Sequence, residues 1–162
     1  MMAEREKYLK RIQSGRGNLL LMAVLTVANI VLMLIEAGFN FPFSALLPQI
    51  AVSFAQEFSL YYLETEEIIC YVIAAVPILL FLLCWFLSEK RPDWLWLGLI
   101  LFLLDTGVLA YLSITEFAVS DIIDLLFHAW VLFYLVRGVA AIHKLKELPE
   151  EEAIIEAVPP AL

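Results

Sequence analysis

The chain has 162 residues, 63% of them hydrophobic and 17% charged, and a net charge of −8. With a mean hydropathy of +0.89 it departs from a soluble domain, which is usually about half apolar. The length allows one domain, and the negative charge argues against nucleic acid as a partner.

Residues 1–17 are polar and basic, carrying Arg5, Lys7, Lys10, Arg11 and Arg16. They read as a cytoplasmic segment touching anionic headgroups. The first apolar run, 18–35, is expected to span a bilayer. It is not read as a cleaved signal, because it is long for an h-region and Ile35-Glu36-Ala37 is a poor cleavage site. Its polar interruption, Asn29, lies 11 residues after Asn18, roughly 16 Å along a helix. An Asn at such a place joins helices by hydrogen bonding.

The segment from Glu36 to Glu67 has no basic residue. Within it Phe43, Leu46, Leu47, Ile50, Phe54 and Phe58 fall on one helical face, and Ser44, Gln49, Ser53, Gln56 and Glu57 on the other. This pattern predicts an amphipathic interfacial helix over 43–58, lying on the outer leaflet or capping the bundle. Pro48 belongs in its first turn. Glu64, Glu66 and Glu67 then suit the first turn of the next helix.

The second span is expected over 68–87, with Pro77 as a kink near its middle. Cys70 and Cys84 share that helix, 14 residues apart, or roughly 21 Å, so they cannot bridge. No C-x-x-C motif is present. After a turn holding Lys90 and Arg91, with Trp85, Trp94 and Trp96 at the interface, the third span runs over 95–112 and the fourth over 122–139. Gly138 and Ala141 are spaced for close helix packing. Residues 140–162 form an acidic cytoplasmic tail with Glu147, Glu150, Glu151, Glu152 and Glu156.

The fold class is therefore an all-α integral membrane protein. It is a four-transmembrane-helix bundle with an interfacial helix between the first and second spans. All ten Lys and Arg fall in segments that four crossings place on one side, so the positive-inside rule puts both termini in the cytoplasm. A multi-pass protein of the plasma membrane is expected.

Asp105, Asp124 and His128 are ionisable groups inside apolar runs, where they face protein or water and not lipid. Asp105 is 8 residues before Ser113 and His128 is 6 residues past Ile122, roughly 12 and 9 Å from the outer boundary. Asn29 sits at similar depth. Asp121, Asp124 and His128 share one helix face, and antiparallel neighbours pack together, so an Asp105–His128 contact is expected. Asp124 and His128 have a spacing that suits a metal, but one His with no third ligand is a weak set. No metal or cofactor is expected.

No hydrolase motif is present. Two function classes follow. The first is a non-enzymatic interaction or accessory subunit whose polar cluster is structural. The second is a protomer of an oligomeric transporter or channel for protons or cations, built on Asp105, Asp124 and His128. The expected partners are the lipid bilayer and a membrane protein or a second copy of the chain. A dry, fully paired cluster favours the first class, and a cavity opening from it favours the second. The topology is checked with reporters: one fused after Leu162 is expected to read cytoplasmic and one inserted near Gln56 external. Opposite readings overturn the orientation.

Overall fold

The computed structural model describes residues 2–39, 41, 44–61, 63–115 and 118–148, and every regular element among them is an α-helix. The helices are α1 (Met2–Leu34), α2 (Leu46–Leu60), α3 (Glu64–Leu87), α4 (Trp94–Thr115) and α5 (Val119–Glu147). All but α2 are long and apolar enough to cross a membrane, an architecture consistent with a helical membrane bundle. The acidic tail beyond Leu148 lies outside the described residues.

The long helices alternate in direction. Arg16, the α3–α4 turn and Lys146 meet at one end, here called the basic end. At that end the Arg16 guanidinium donates to Ser88 Oγ (3.0 Å), the Trp85 carbonyl (3.4 Å) and Glu89 Oε2 (3.3 Å). It thus sits on the last turn of α3, where the helix dipole favours a cation. Lys146 reaches Asp93 Oδ1 at 2.7 Å. Ser120, Asp121, Glu36 and Glu64 mark the opposite, acidic end.

The polar first segment is not separate from the first span. α1 is one helix of 33 residues and α5 one of 29, about 50 and 44 Å at the helical rise. They run antiparallel, and their basic ends pack through buried Ile12, Ala141 and Ile142 with Tyr8 and Leu145 beside them. Close approach is possible because the crossing point is glycine on both sides. A Cβ on Gly138 would meet the Gly15 Cα at 3.6 Å and the Arg11 carbonyl at 3.4 Å. The core of the basic half is apolar and includes Leu19, Met22, Phe81, Cys84, Leu95, Leu99, Phe102, Val131 and Leu135. Pro77 lies inside α3, which runs unbroken through it.

α1 stops in a left-handed turn. Glu36 has φ +53°, its N–H bonds to the Met33 carbonyl at 3.2 Å, and the Ala37 N–H reaches back to Leu32 at 3.0 Å. This is the two-bond C-terminal motif that usually carries glycine. Gly38, also at positive φ (+70°), helps reverse the chain.

The reversed chain re-enters the bundle. Phe41 and Ser44 bond to Asn29, and Ala45 to Thr26, all beside the middle of α1. α2 starts there, packs against α1 and α3, and reaches Met33 near the end of α1, where Gln56 Nε2 donates to its carbonyl at 3.1 Å. The segment predicted as helical over 43–58 is thus helical over Leu46–Leu60, with Pro48 in the first turn as expected.

Its orientation differs from that expected. The helix is not laid across the bundle end. Its buried face is Pro48, Ala51, Val52 and Ala55, while Leu47 and Phe54 are exposed. Ile50 and Phe58 are half-buried, and Phe43 lies outside the described residues. The reason is packing: in apolar surroundings small residues let helices approach, and large ones gain nothing by turning inward.

The non-glycine left-handed residue provides a test. Glu36→Gly removes a Cβ from a conformation that disfavours it, and is expected to raise stability by up to about 1 kcal/mol. Thermal unfolding in detergent measures this. A lower melting temperature would show that the Glu36 side chain contributes more than its backbone strain costs.

Candidate functional site

α2 begins without a cap of its own. Ala45 is the residue before its first turn and offers no side-chain acceptor. The leading N–H groups of a helix have no partner within it, and away from water each must find one. Here other helices supply them. Thr26 Oγ1 on α1 accepts the Ala45 N–H at 2.8 Å, while donating to its own Met22 carbonyl at 2.8 Å. Asp105 on α4 accepts the Leu46 N–H on Oδ2 at 2.9 Å and the Leu47 N–H on Oδ1 at 2.8 Å. Pro48 has no N–H to satisfy. A carboxylate also suits the positive end of the helix dipole.

His128 on α5 completes the arrangement. Its Nε2 is 3.1 Å from Asp105 Oδ2 and its Nδ1 is 2.8 Å from the Asp124 carbonyl, one turn back on the same helix. A carbonyl can only accept, so Nδ1 carries a hydrogen. The Nε2–Oδ2 contact then needs one proton between two acceptors. The pair shares that proton and is neutral as a unit. Both residues are buried, and the imidazole stacks on Phe102 with centroids 4.8 Å apart and planes 7° apart. Phe81 packs edge-on beneath Phe102.

Asn29 holds the re-entrant loop from the other side. Its Nδ2 donates to the Phe41 carbonyl (2.6 Å) and Ser44 Oγ (2.7 Å), and its Oδ1 accepts the Phe41 N–H (2.7 Å). Gln49 Nε2 donates to Ser44 Oγ at 2.6 Å and to the Ala45 carbonyl at 3.1 Å. Asn29, Asp105 and His128 are therefore brought together by the segment they all bind or border. The Asp124 side chain is set apart from this pairing. It is half-buried and faces a recess of about 330 Å³ bordered by Ser44, Gln49, Leu109, Ser120, Ile123 and His128.

The recess lies on the acidic-end side of the Asp105–His128 pair. On the other side the apolar core begins directly with Phe102. Among the described residues no group of three or more His, Cys, Asp or Glu side chains is arranged for a metal ion. Comparison with known protein families, curated proteins and solved structures found no match.

The sequence pattern located Asp105 and His128 but missed Thr26, Ser44 and Gln49 as members of the same network. Thr26 precedes Asn29 by one turn on the same face of α1, which is the one local signal for it. The capping role of Asp105 has no local signal, because its partners are 58 and 59 residues away.

Breaking the pair from either side is expected to be costly. Asp105→Asn presents one acceptor in place of two, and His128→Ala leaves a carboxylate short of a donor. Each should lower stability in detergent by about 3–5 kcal/mol, and the double variant by less than the sum. Strictly additive losses would mean that the two side chains are not coupled.

Proposed function

We propose that the protein is a non-enzymatic interaction or accessory subunit of the plasma membrane, with both termini in the cytoplasm. In this reading its acidic, outer-facing recess receives a cationic group of a partner protein. The observation that carries this reading is the division of labour between Asp105 and Asp124. The Asp105 carboxylate is committed to two α2 N–H groups and His128. Asp124, one turn outward, presents its carboxylate to the recess. The buried pair is neutral as a unit and the remaining charge on the lining is negative, so complementarity favours a cation. Ser44, Ser120 and Gln49 add hydrogen-bonding groups around it.

The orientation rests on the distribution of basic residues, which gather at the end holding both termini. The accessory reading rests on the apolar layer of Phe102, Phe81 and Leu99 under the pair, which separates the recess from the basic end.

The alternative, a protomer of an oligomeric proton or cation transporter, is favoured by the recess itself. It requires the Phe102 layer to part, and it requires Asp105 to leave the α2 N-terminus during the cycle. Vesicle uptake that Asp105→Asn abolishes without loss of stability would establish it in place of the accessory reading.

Affinity purification in mild detergent tests the interaction. Asp124→Asn should reduce recovery of the partner at least about tenfold, as expected when one member of a desolvated charge pair is removed, with an unchanged melting temperature. Asp121→Asn, which alters charge beside the recess but not in it, should leave recovery intact. Equal recovery from wild type and Asp124→Asn would exclude the recess as the binding surface.

A further inference from the structure

We propose that the groove between α1 and α5 at the basic end is a binding site for the phosphate group of an anionic lipid. The groove has a volume of about 140 Å³ and is bordered by Lys10, Arg11, Ser14, Tyr134 and Arg137. This is room for a few waters at their share of about 30 Å³ each, the scale of a single tetrahedral oxyanion. The proposal rests on the four spans and not on the recess, which lies at the other end of the bundle.

The groove is formed by the glycine crossing. Gly15 and Gly138 let the α1 and α5 backbones touch, so the long side chains on either side of the crossing border a common space. The two arginines come from different helices. The Arg11 guanidinium lies 5.9 Å from the Tyr8 ring centroid, and that of Arg137 lies 5.1 Å from the Phe133 ring centroid. Such stacking restrains the guanidinium planes.

Neither arginine has a carboxylate within ion-pair distance among the described residues. Four other cations at this end have carboxylate partners: Arg16 with Glu89, Lys146 with Asp93, Lys144 with Glu147 and Lys10 with Glu6. The Lys10–Glu6 pair is solvent-exposed and so holds Lys10 only weakly. Like charges bordering one groove repel. A phosphate relieves that repulsion and matches the guanidinium fork, while the Ser14 and Tyr134 hydroxyls offer further donors.

The position favours a lipid over a free anion. One turn toward the apolar part of the bundle, Trp130 and Tyr134 lie against each other with centroids 5.1 Å apart, and Trp130 Nε1 donates to Asn18 Oδ1 at 3.2 Å. This is the aromatic band found at headgroup level. Beyond it Leu21, Val24 and Leu126 are exposed and provide an apolar wall for acyl chains. Basic pockets between helices on the cytoplasmic side are a recurring form of headgroup site.

The test is thermal unfolding of the full chain in neutral detergent, titrated with phosphatidylglycerol, phosphatidylcholine or inorganic phosphate, with native mass spectrometry counting retained lipid. Phosphatidylglycerol should raise the melting temperature saturably and remain bound, and the other two should do neither. Arg11→Gln with Arg137→Gln should raise the half-saturating phosphatidylglycerol concentration roughly tenfold or more. Lys90→Gln with Arg91→Gln, an equal charge change on the neighbouring turn, should leave it unchanged. Arg137→Lys, which keeps the charge and loses the fork, should weaken binding partially, and it serves if the double arginine variant does not fold. An equal loss in the Lys90/Arg91 variant would reduce the effect to general surface charge and overturn the site. A full shift with inorganic phosphate alone would overturn the lipid assignment.

Discussion

The structure depends on one carboxylate that caps a helix from another part of the chain. A helix that starts inside a bundle exposes unpartnered N–H groups where water cannot reach them, each costing several kcal/mol. Asp105 accepts two of these from α2 while meeting His128, and Thr26 accepts a third. Together with the bonds of Asn29 to Phe41 and Ser44, they hold the start of α2 inside the bundle. Asp105 therefore joins α4 to α2, and through His128 to α5, at one point. The cost of placing an Asp in an apolar helix is offset by the backbone groups it satisfies.

This interaction also divides the bundle into unlike halves. On the basic side of the pair the core is aliphatic and aromatic, from Phe102 and Phe81 through Leu19, Leu95 and Leu135 to Ile142. On the acidic side a smaller apolar cluster of Ala51, Val52 and Ala74 lies beside polar groups, with Asn29, Ser44, Gln49 and the recess next to Asp124. The recess is bordered by the first turn of α2 together with α4 and α5.

The basic half has its own constraint, the backbone contact of α1 with α5. Gly15 and Gly138 bring the two longest helices together, and their projecting ends pack beyond the α3–α4 turn. Close backbones and long cationic side chains together leave the groove bordered by Arg11 and Arg137. The two ends thus differ in charge and in the helices that border their spaces, α2 with α4 and α5 at one and α1 with α5 at the other.

Local pattern alone determined the four apolar helices, the segregation of basic residues, and the matched positions of Asn29, Asp105 and His128. These follow from helical rise and from the cost of charge in apolar surroundings, both of which act over a few turns of chain. Tertiary structure decided what those residues do. The amphipathic pattern around Ile50 and Phe54 identified a helix but not its inward face, because a bundle in apolar surroundings buries small residues such as Ala51 and Ala55 and leaves Phe54 outside. The acid at position 105 was visible, but its role as the cap of α2 was not. Hydrogen bonds that close a gap of 59 residues are set by how the helices assemble, and no periodicity within a single helix encodes them.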